Sequence, residues 1–339
     1  MASKVKGFIE TITPNQITGW CYSIDQEAPK IVHLFIGDIY IRSVKSCNPR
    51  PDIDRAGGPR FCGFHFRIAA NLLALLPHDA EVKVVTDGDA TSLSCLKNMK
   101  ALFPGQATDQ GEQLRHMLET EFHVSHWGEV KRPFSKNPIL KYDMLRAYQR
   151  LRFVFEYFGI QLYLTGGNLL GVIREFDFLP HDDDIDLAFC VAADSPEDAG
   201  TKFCSLIGEI GPKLISLGYG VKIVRAGQVH VRDKLDQCTL DIFMAWLTSN
   251  GEWYRRTDFG GNIGTSSFRT RELELFGYKV LVPQYSEREL EITYGPSWKK
   301  PDANFAFTRD AEIHVILERF EAACAESIGQ LKQRLETLS

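Results

Sequence analysis

The sequence predicts an α+β protein of two domains, an all-β sandwich followed by a larger mixed α and β domain built on a small sheet. Three observations carry this. From Val5 to about Leu96 the chain is written in short alternating or β-branched runs separated by turn residues. Around Phe103-Pro104-Gly105-Gln106 that pattern stops and Gly, Gln, Thr and Asp take over, as in a linker. Beyond it, apolar residues recur at helical spacing between isolated strand-like runs. At 339 residues with 44% hydrophobic content the chain exceeds the needs of one core. Typical domains of roughly 100–200 residues then give two, divided as 1–105 and 106–339 with the boundary between Lys97 and Gly111.

In the first domain the expected strands are Phe8 to Thr13, Ile17 to Tyr22, Ile31 to Ile36, Gly63 to Ile68 and Val82 to Thr86. The turn clusters Thr13-Pro14-Asn15, 25–29 and Asn48 to Asp52 space them as in an antiparallel sandwich. Trp20 and Tyr22 are candidate glycan contacts, but a Trp in an early strand is more often core.

In the second domain, Asn137-Pro138 opens a helix carrying Leu140, Met144, Tyr148, Leu151, Phe155 and Phe158 at steps of three and four, with Gly159 as its stop. A strand (Ile160 to Thr165), a Gly-Gly turn, a short helix (Asn168 to Arg174), an acidic loop and a strand (Ile185 to Val191) follow. The polar stretch Asp194 to Gly200 reads as a loop leading to a helix near Thr201. Strands are expected at Val221 to Val224, Val229 to Arg232 and Thr239 to Ala245, and a helix with Ile313, Leu317, Phe320, Cys324, Ile328, Leu331 and Leu335 on one face closes the chain.

Composition excludes several classes. The net charge is −5, and the part beyond residue 105 is the more acidic. That argues against nucleic acid as a partner, since such binding rests on a basic surface. No run approaches the ~18 apolar residues of a transmembrane segment and the first residues lack the apolar stretch of a secretory signal. The expected location is the cytoplasm, with peripheral attachment at the inner face of a membrane left open. The eight cysteines have no Cys-x-x-Cys spacing, so free thiols are expected rather than zinc sites or disulfides.

The chemistry concentrates at Leu164-Thr165-Gly166-Gly167-Asn168-Leu169-Leu170-Gly171-Val172-Ile173-Arg174 and Leu179-Pro180-His181-Asp182-Asp183-Asp184-Ile185-Asp186-Leu187. A glycine turn that opens a helix lets backbone N–H groups approach a phosphate, and the helix N-terminus adds roughly half a positive charge. In a strand Asp184 and Asp186 would share one face. Side-by-side carboxylates repel unless a cation sits between them, and hard oxygen ligands suit Mg²⁺ or Mn²⁺. Asp241, on the apolar strand Leu240 to Phe243, offers a third acid that is costly there unless paired or metal-bound. A solvated loop is the bland alternative for the acidic run, and a strand-end salt bridge for Asp241. An EF-hand is excluded because position six is Leu187, Ala188 or Phe189 instead of Gly.

Arg174 would hold a donor phosphate or satisfy helix-end carbonyls. His181 would hydrogen-bond a substrate or serve structure. His230 and Arg232 fit a solvated sheet face, and Tyr294 to Trp298 fits packing better than stacking on a base.

Residues Leu114 to Trp298 resemble the LicD/fukutin-like phosphotransferases of the nucleotidyltransferase superfamily. The resemblance rests on the Gly-Gly turn and helix at 166–174, the acidic motif at 179–187, Leu240 to Phe243, and Glu289 to Trp298, in that order. It implies a nucleotidyltransferase-type fold for the second domain and a metal-binding set of Asp184, Asp186 and Asp241. Gly166, Gly167, Asn168, Arg174 and His181 then fall to the donor.

Members move a phospho-substituent, such as phosphocholine or ribitol or glycerol phosphate, from a CDP-activated donor to a glycan hydroxyl and release CMP, as in capsule or lipopolysaccharide modification. Gly167 and His181 depart from the Thr or Ser and the Trp of many members, which bears on donor identity. The first domain, through Gly19 to Tyr22 and Arg50 to Phe64, more distantly resembles β-sandwich modules beside bacterial glycan-modifying transferases. The alternatives are a nucleotidyltransferase releasing pyrophosphate and a non-catalytic glycan-binding scaffold.

Overall fold

The computed structural model describes residues 5–24, 29–77, 80–87, 93–95, 109–256, 259–302, 305, 307 and 310–338. The expected turn at 25–28 and the linker around 103–106 lie outside the described residues. The chain forms two compact units, Met1–Lys136 with Asp302–Ala306, and Asn137–Pro301 with Phe307–Ser339.

The first unit contains β1 (Val5–Thr13), β2 (Gln16–Ser23), β3 (Ile31–Ile36), β4 (Ile39–Lys45), β5 (Asn48–Pro49), α1 (Pro51–Arg55), β6 (Phe61–Arg67), α2 (Ala70–Leu73), β7 (Val82–Thr86) and β8 (Ser94–Cys95). They make two sheets, ordered β5-β6-β2-β1-β8 and β4-β3-β7. One core joins them, with Ile9, Ile17, Cys21, Phe64 and Phe66 from one sheet and Val32, Leu34, Ile36, Ile41 and Val84 from the other. That is a sandwich. A two-residue turn with Gly37 at φ +63° folds β4 back on β3.

The period of two in β2 sends Ile17, Gly19 and Cys21 inward, so Trp20 is half-buried on the outer face, stacked beside Tyr22 at 5.7 Å. The expectation of a core Trp fails for that reason. α3 (Asp109–Thr120), β9 (His123–Val124) and β10 (Val130–Lys131) also belong to this unit, because Leu114, Val124 and Val130 enter its core. The first compact unit therefore runs on to Lys136.

The second unit opens with α4 (Pro138–Tyr157). The Asn137 side chain accepts from the Leu140 N–H at 3.4 Å and Pro138 stands at the first turn. Met144, Leu145, Tyr148, Leu151 and Phe155 are buried. At roughly 1.5–3 kcal/mol per buried large apolar side chain, packing outweighs the ~1 kcal/mol of a cap. The Tyr148 hydroxyl donates to the Leu162 carbonyl and accepts from the Leu281 N–H, both at 3.0 Å, so the buried phenol is satisfied.

There follow β11 (Tyr163–Leu164), α5 (Gly166–Glu175), β12 (Asp186–Ala192), α6 (Pro196–Ser216), β13 (Gly220–Arg225), β14 (Gln228–Asp233) and β15 (Cys238–Leu247). The remainder is β16 (Glu252–Arg255), β17 (Phe259–Asn262), β18 (Thr270–Leu275), β19 (Tyr278–Pro283), α7 (Ser286–Tyr294) and α8 (Ala311–Leu338). The sheet runs β11-β12-β15-β14-β13, with β16 and β17 extending from β15, and β18 pairs β19 separately. Among the described residues, β12 and β15 form the one parallel pair of this sheet. Their crossover contains α6, and both read as near-continuous apolar runs, as strands covered on two faces do.

Two expectations shift. The strand before the glycine turn is only Tyr163–Leu164. α6 begins at Pro196, not near Thr201, because Ser195 caps it by accepting from the Asp198 N–H at 3.1 Å with Pro196 in the first turn.

No helix among the described residues is long and apolar enough to cross a membrane. Among the described side chains Cys21, Cys47, Cys62, Cys190, Cys204, Cys238 and Cys324 are free thiols. The Cys95 side chain lies outside them.

Candidate functional site

The site gathers where β12 and β15 begin their parallel pairing. Asp186 stands opposite Asp241 across the two strands, and His230 of β14 stands opposite Asp241 on its other side. Backbone bonds fix this end of the sheet: Thr165 N–H to the Asp186 carbonyl at 3.1 Å, and Asp241 N–H to the Ile185 carbonyl at 3.3 Å. Asp184 precedes the strand instead of lying within it, so strand alternation does not align it with Asp186.

The buried Asn168 side chain orders the acidic loop. Its Oδ1 accepts from the Asp186 N–H at 2.5 Å, and its Nδ2 donates to the Asp184 carbonyl at 3.1 Å and to Asp182 Oδ2 at 3.4 Å.

Gly166, at φ +59°, and Gly167 open α5 directly against these acids. A Cβ on Gly166 would lie 3.1 Å from Asp186 Oδ2, and one on Gly167 3.2 Å from Asp182 Oδ2. Gly171 is tighter, for a Cβ there would meet the Asp177 carbonyl oxygen at 2.6 Å and the Leu179 nitrogen at 2.8 Å. Both contacts are backbone, so Gly171→Ala displaces the segment entering the acidic loop. A cost of about 1–3 kcal/mol is expected, read as a lowered urea midpoint.

The electrostatics are those of crowded carboxylates. Burial first, then Asp184, Asp241 and Asp182, push the Asp186 carboxyl well above the usual range, with Arg255 acting in the opposite sense. Asp182 is pushed up to about 8 by burial, then by Asp184 and Asp183. Asp241 accepts from Gln228 Nε2 at 3.4 Å and has His230 Nε2 at 3.1 Å.

The raised Asp182 value has a consequence for stability. Between the ordinary 3.8 and about 8 the folded chain keeps a proton that the unfolded chain has lost. Stability from this group therefore falls as pH rises through that window, at up to roughly 1.4 kcal/mol per pH unit. In chelator, Asp182→Asn should flatten the decline of melting temperature between pH 5 and 8; an unchanged slope would remove Asp182 as its source.

Beneath the glycine turn lies a buried ion pair that sequence reasoning missed. Arg255 Nη1 bonds Glu289 Oε1 at 2.7 Å and also the Thr165 hydroxyl, which donates to Glu289 Oε1 at 2.8 Å. Arg255 and Glu289 are each 3% exposed at the side chain. The network joins β16 and α7 to the residue that precedes Gly166. Tyr294, at the end of α7, lies within electrostatic reach of Arg255, Asp182 and Asp186, and burial raises its hydroxyl.

Two expected donor contacts sit differently. Arg174 Nη1 donates to the Trp298 carbonyl at 3.4 Å, tying α5 to the turn after α7. His181 is 75% exposed, its Nε2 3.8 Å from Asp182 Oδ1.

Among the described residues, no three His, Cys, Asp or Glu side chains stand together at coordination spacing. The acids nevertheless fit a divalent cation, because their mutual repulsion is the imbalance that a cation removes. Mg²⁺ in particular is commonly bound by one or two carboxylates, with phosphates and water completing the shell.

No curated protein matches the chain. The model of the family described as LicD/FKTN/FKRP, nucleotidyltransferase domain, matches residues 159–263. That interval holds the glycine turn, the acidic loop, Asp241, His230 and Arg255. The match supports a transferase and glycan modification of the phosphotransferase type. The matched interval runs from just before β11 to just past β17, so the resemblance to this nucleotidyltransferase domain covers the part of the second unit that builds the site.

Proposed function

We propose that the protein transfers a phospho-substituent, such as phosphocholine or an alditol phosphate, from a CDP-linked donor to a glycan hydroxyl and releases CMP. The observation that carries this reading is the buried Asp186 carboxyl, crowded by Asp184, Asp241 and Asp182 beside the side-chain-free opening of α5. A Mg²⁺ or Mn²⁺ ion held by Asp184, Asp186 and Asp241 would neutralise the charge of the donor diphosphate.

The chain's own groups do the rest. The Gly166-Gly167 turn presents backbone N–H groups and the positive end of α5 to the donor phosphates. Asn168 holds the acidic loop in register with the turn. Asp241, oriented by His230 and Gln228, accepts the proton of the attacking hydroxyl as its oxygen bonds to the β-phosphorus and the bond to CMP breaks. Positioning and charge stabilisation supply most of the rate.

The test is thermal stabilisation by CDP-choline, CDP-ribitol, CDP-glycerol and NTPs, each with and without Mg²⁺. At a hundredfold excess over Kd, binding adds about 2.7 kcal/mol, or roughly 4 °C. The expected result is a Mg²⁺-dependent shift with one CDP-linked donor that is lost in Asp184→Ala, with CMP as product. A response to NTPs with pyrophosphate release would favour attack at the α-phosphorus. No shift with any donor would leave a glycan-binding scaffold.

A further inference from the structure

Away from the acids, α6 and α8 pack against one another so closely that a Cβ on Gly200 would lie 3.0 Å from Ala323 Cβ and 3.1 Å from Cys324 Sγ. The buried Cys324 thiol reaches the Gly200 carbonyl at 3.6 Å. Cys204 follows Gly200 by one helical turn on the same face of α6, which places it beside the Cys324 sulfur that packs on Gly200. The two cysteines thus face one another across the close α6–α8 contact at Gly200.

Cys204 is also accessible. It lines an open groove of about 420 Å³ between the two helices, together with Ser205, Ser327, Gln330 and Arg334. The pair therefore consists of one half-buried thiol facing solvent and one buried thiol behind it.

We propose that Cys204 and Cys324 form a two-cysteine oxidation site for hydroperoxides, with Cys204 as the attacking thiol and Cys324 as the resolving one. The Cys204 thiolate attacks one peroxide oxygen, the O–O bond breaks, and the departing hydroxide leaves as water after taking up a proton. Cys204 is then a sulfenic acid. Cys324 sulfur attacks Cys204 sulfur, the S–O bond breaks, and the hydroxide lost takes the Cys324 proton to form a second water. The two cysteines lose two electrons, the peroxide gains them, and a thiol reductant reverses the change.

The division of roles follows from the environments. The neighbouring Cys324 thiol, then burial in the opposite sense, then Ser327, leave the Cys204 thiol below its usual range. The same contact and burial push Cys324 up. Phe203 of α6 packs on Phe320 of α8 at 6.3 Å, and Phe320 stacks on Trp246 of β15 at 5.2 Å. The staple would thus fix the helix layer that supports the strand carrying Asp241.

The experiment treats the full chain with hydrogen peroxide, blocks the remaining thiols and maps peptides by mass spectrometry without reductant. The expected product is a Cys204–Cys324 cross-linked peptide, lighter by two hydrogens and abolished by dithiothreitol. In Cys324→Ser, dimedone should label Cys204 and no cross-link should form. If that variant does not fold, the wild-type cross-link map decides alone. Both thiols remaining free in folded, treated protein, or Cys204 linking to a different cysteine, would overturn the proposal.

Discussion

In Asp186→Asn, turnover is expected to fall about a thousandfold while the melting temperature in chelator rises. The two effects share one cause. In the free protein the Asp186 carboxyl is buried and crowded by Asp184, Asp241 and Asp182, so its ionised form is unfavourable. An amide of nearly the same shape removes that repulsion. Catalysis on a diphosphate needs the charge that folding disfavours. Losing about 4 kcal/mol of transition-state stabilisation corresponds to roughly three powers of ten. Steady-state turnover and a thermal melt on the same preparation check both halves. Full activity in Asp186→Asn would sink the proposed role, and a lowered melting temperature would show that the carboxylate is structural.

The second large effect is expected at the Arg255–Glu289 pair. Arg255→Met leaves a buried carboxylate facing the Thr165 hydroxyl alone, and breaking such a pair from one side costs about 3–5 kcal/mol. For a protein of this size that is roughly 4–7 °C in melting temperature. Burial already raises the Glu289 carboxyl, and Arg255 acts to lower it. Without the Arg, the folded value rises further while the unfolded one stays ordinary. The penalty therefore grows as pH rises above the ordinary Glu range and shrinks below it.

Removing both charges in Arg255→Met with Glu289→Leu should recover most of the loss in a urea titration. If the double variant is as unstable as the single one, the pair matters through shape instead of charge.

Much of this site is legible in the sequence because its parts are local. The glycine turn, the acidic run and the apolar strand carrying Asp241 each announce themselves within a dozen residues. The amphipathic α4 does too, through its spacing and Asn137 cap. What escaped depends on register or on distance along the chain. His230 reads as a solvated face until the hairpin is counted from its turn, when residue 230 falls opposite 241. Arg255 looks like an ordinary strand-end cation, and nothing within β16 says that Glu289 will bury beside it. Trp20 reads as core because it stands in an early strand, but the alternation of β2 places Cys21 inside and Trp20 on the outer face. Asp184 aligns with Asp186 only if the strand begins at residue 184, and β12 begins two residues later.

The parallel pairing of β12 with β15 also bears on when the acids first meet. A parallel pair cannot close until the whole crossover between its strands is in hand. During synthesis, Asp182 to Asp186 would therefore travel as hydrated charges on a short local segment, far from Asp241. Their burial, which is the largest cause of the raised carboxyls, and the added repulsion from Asp241 arise only when the central strand docks, so both oppose the late, non-local step of folding and leave the early helices untouched. A chain ending before β15 should then contain α4 and α5 but bind no divalent ion.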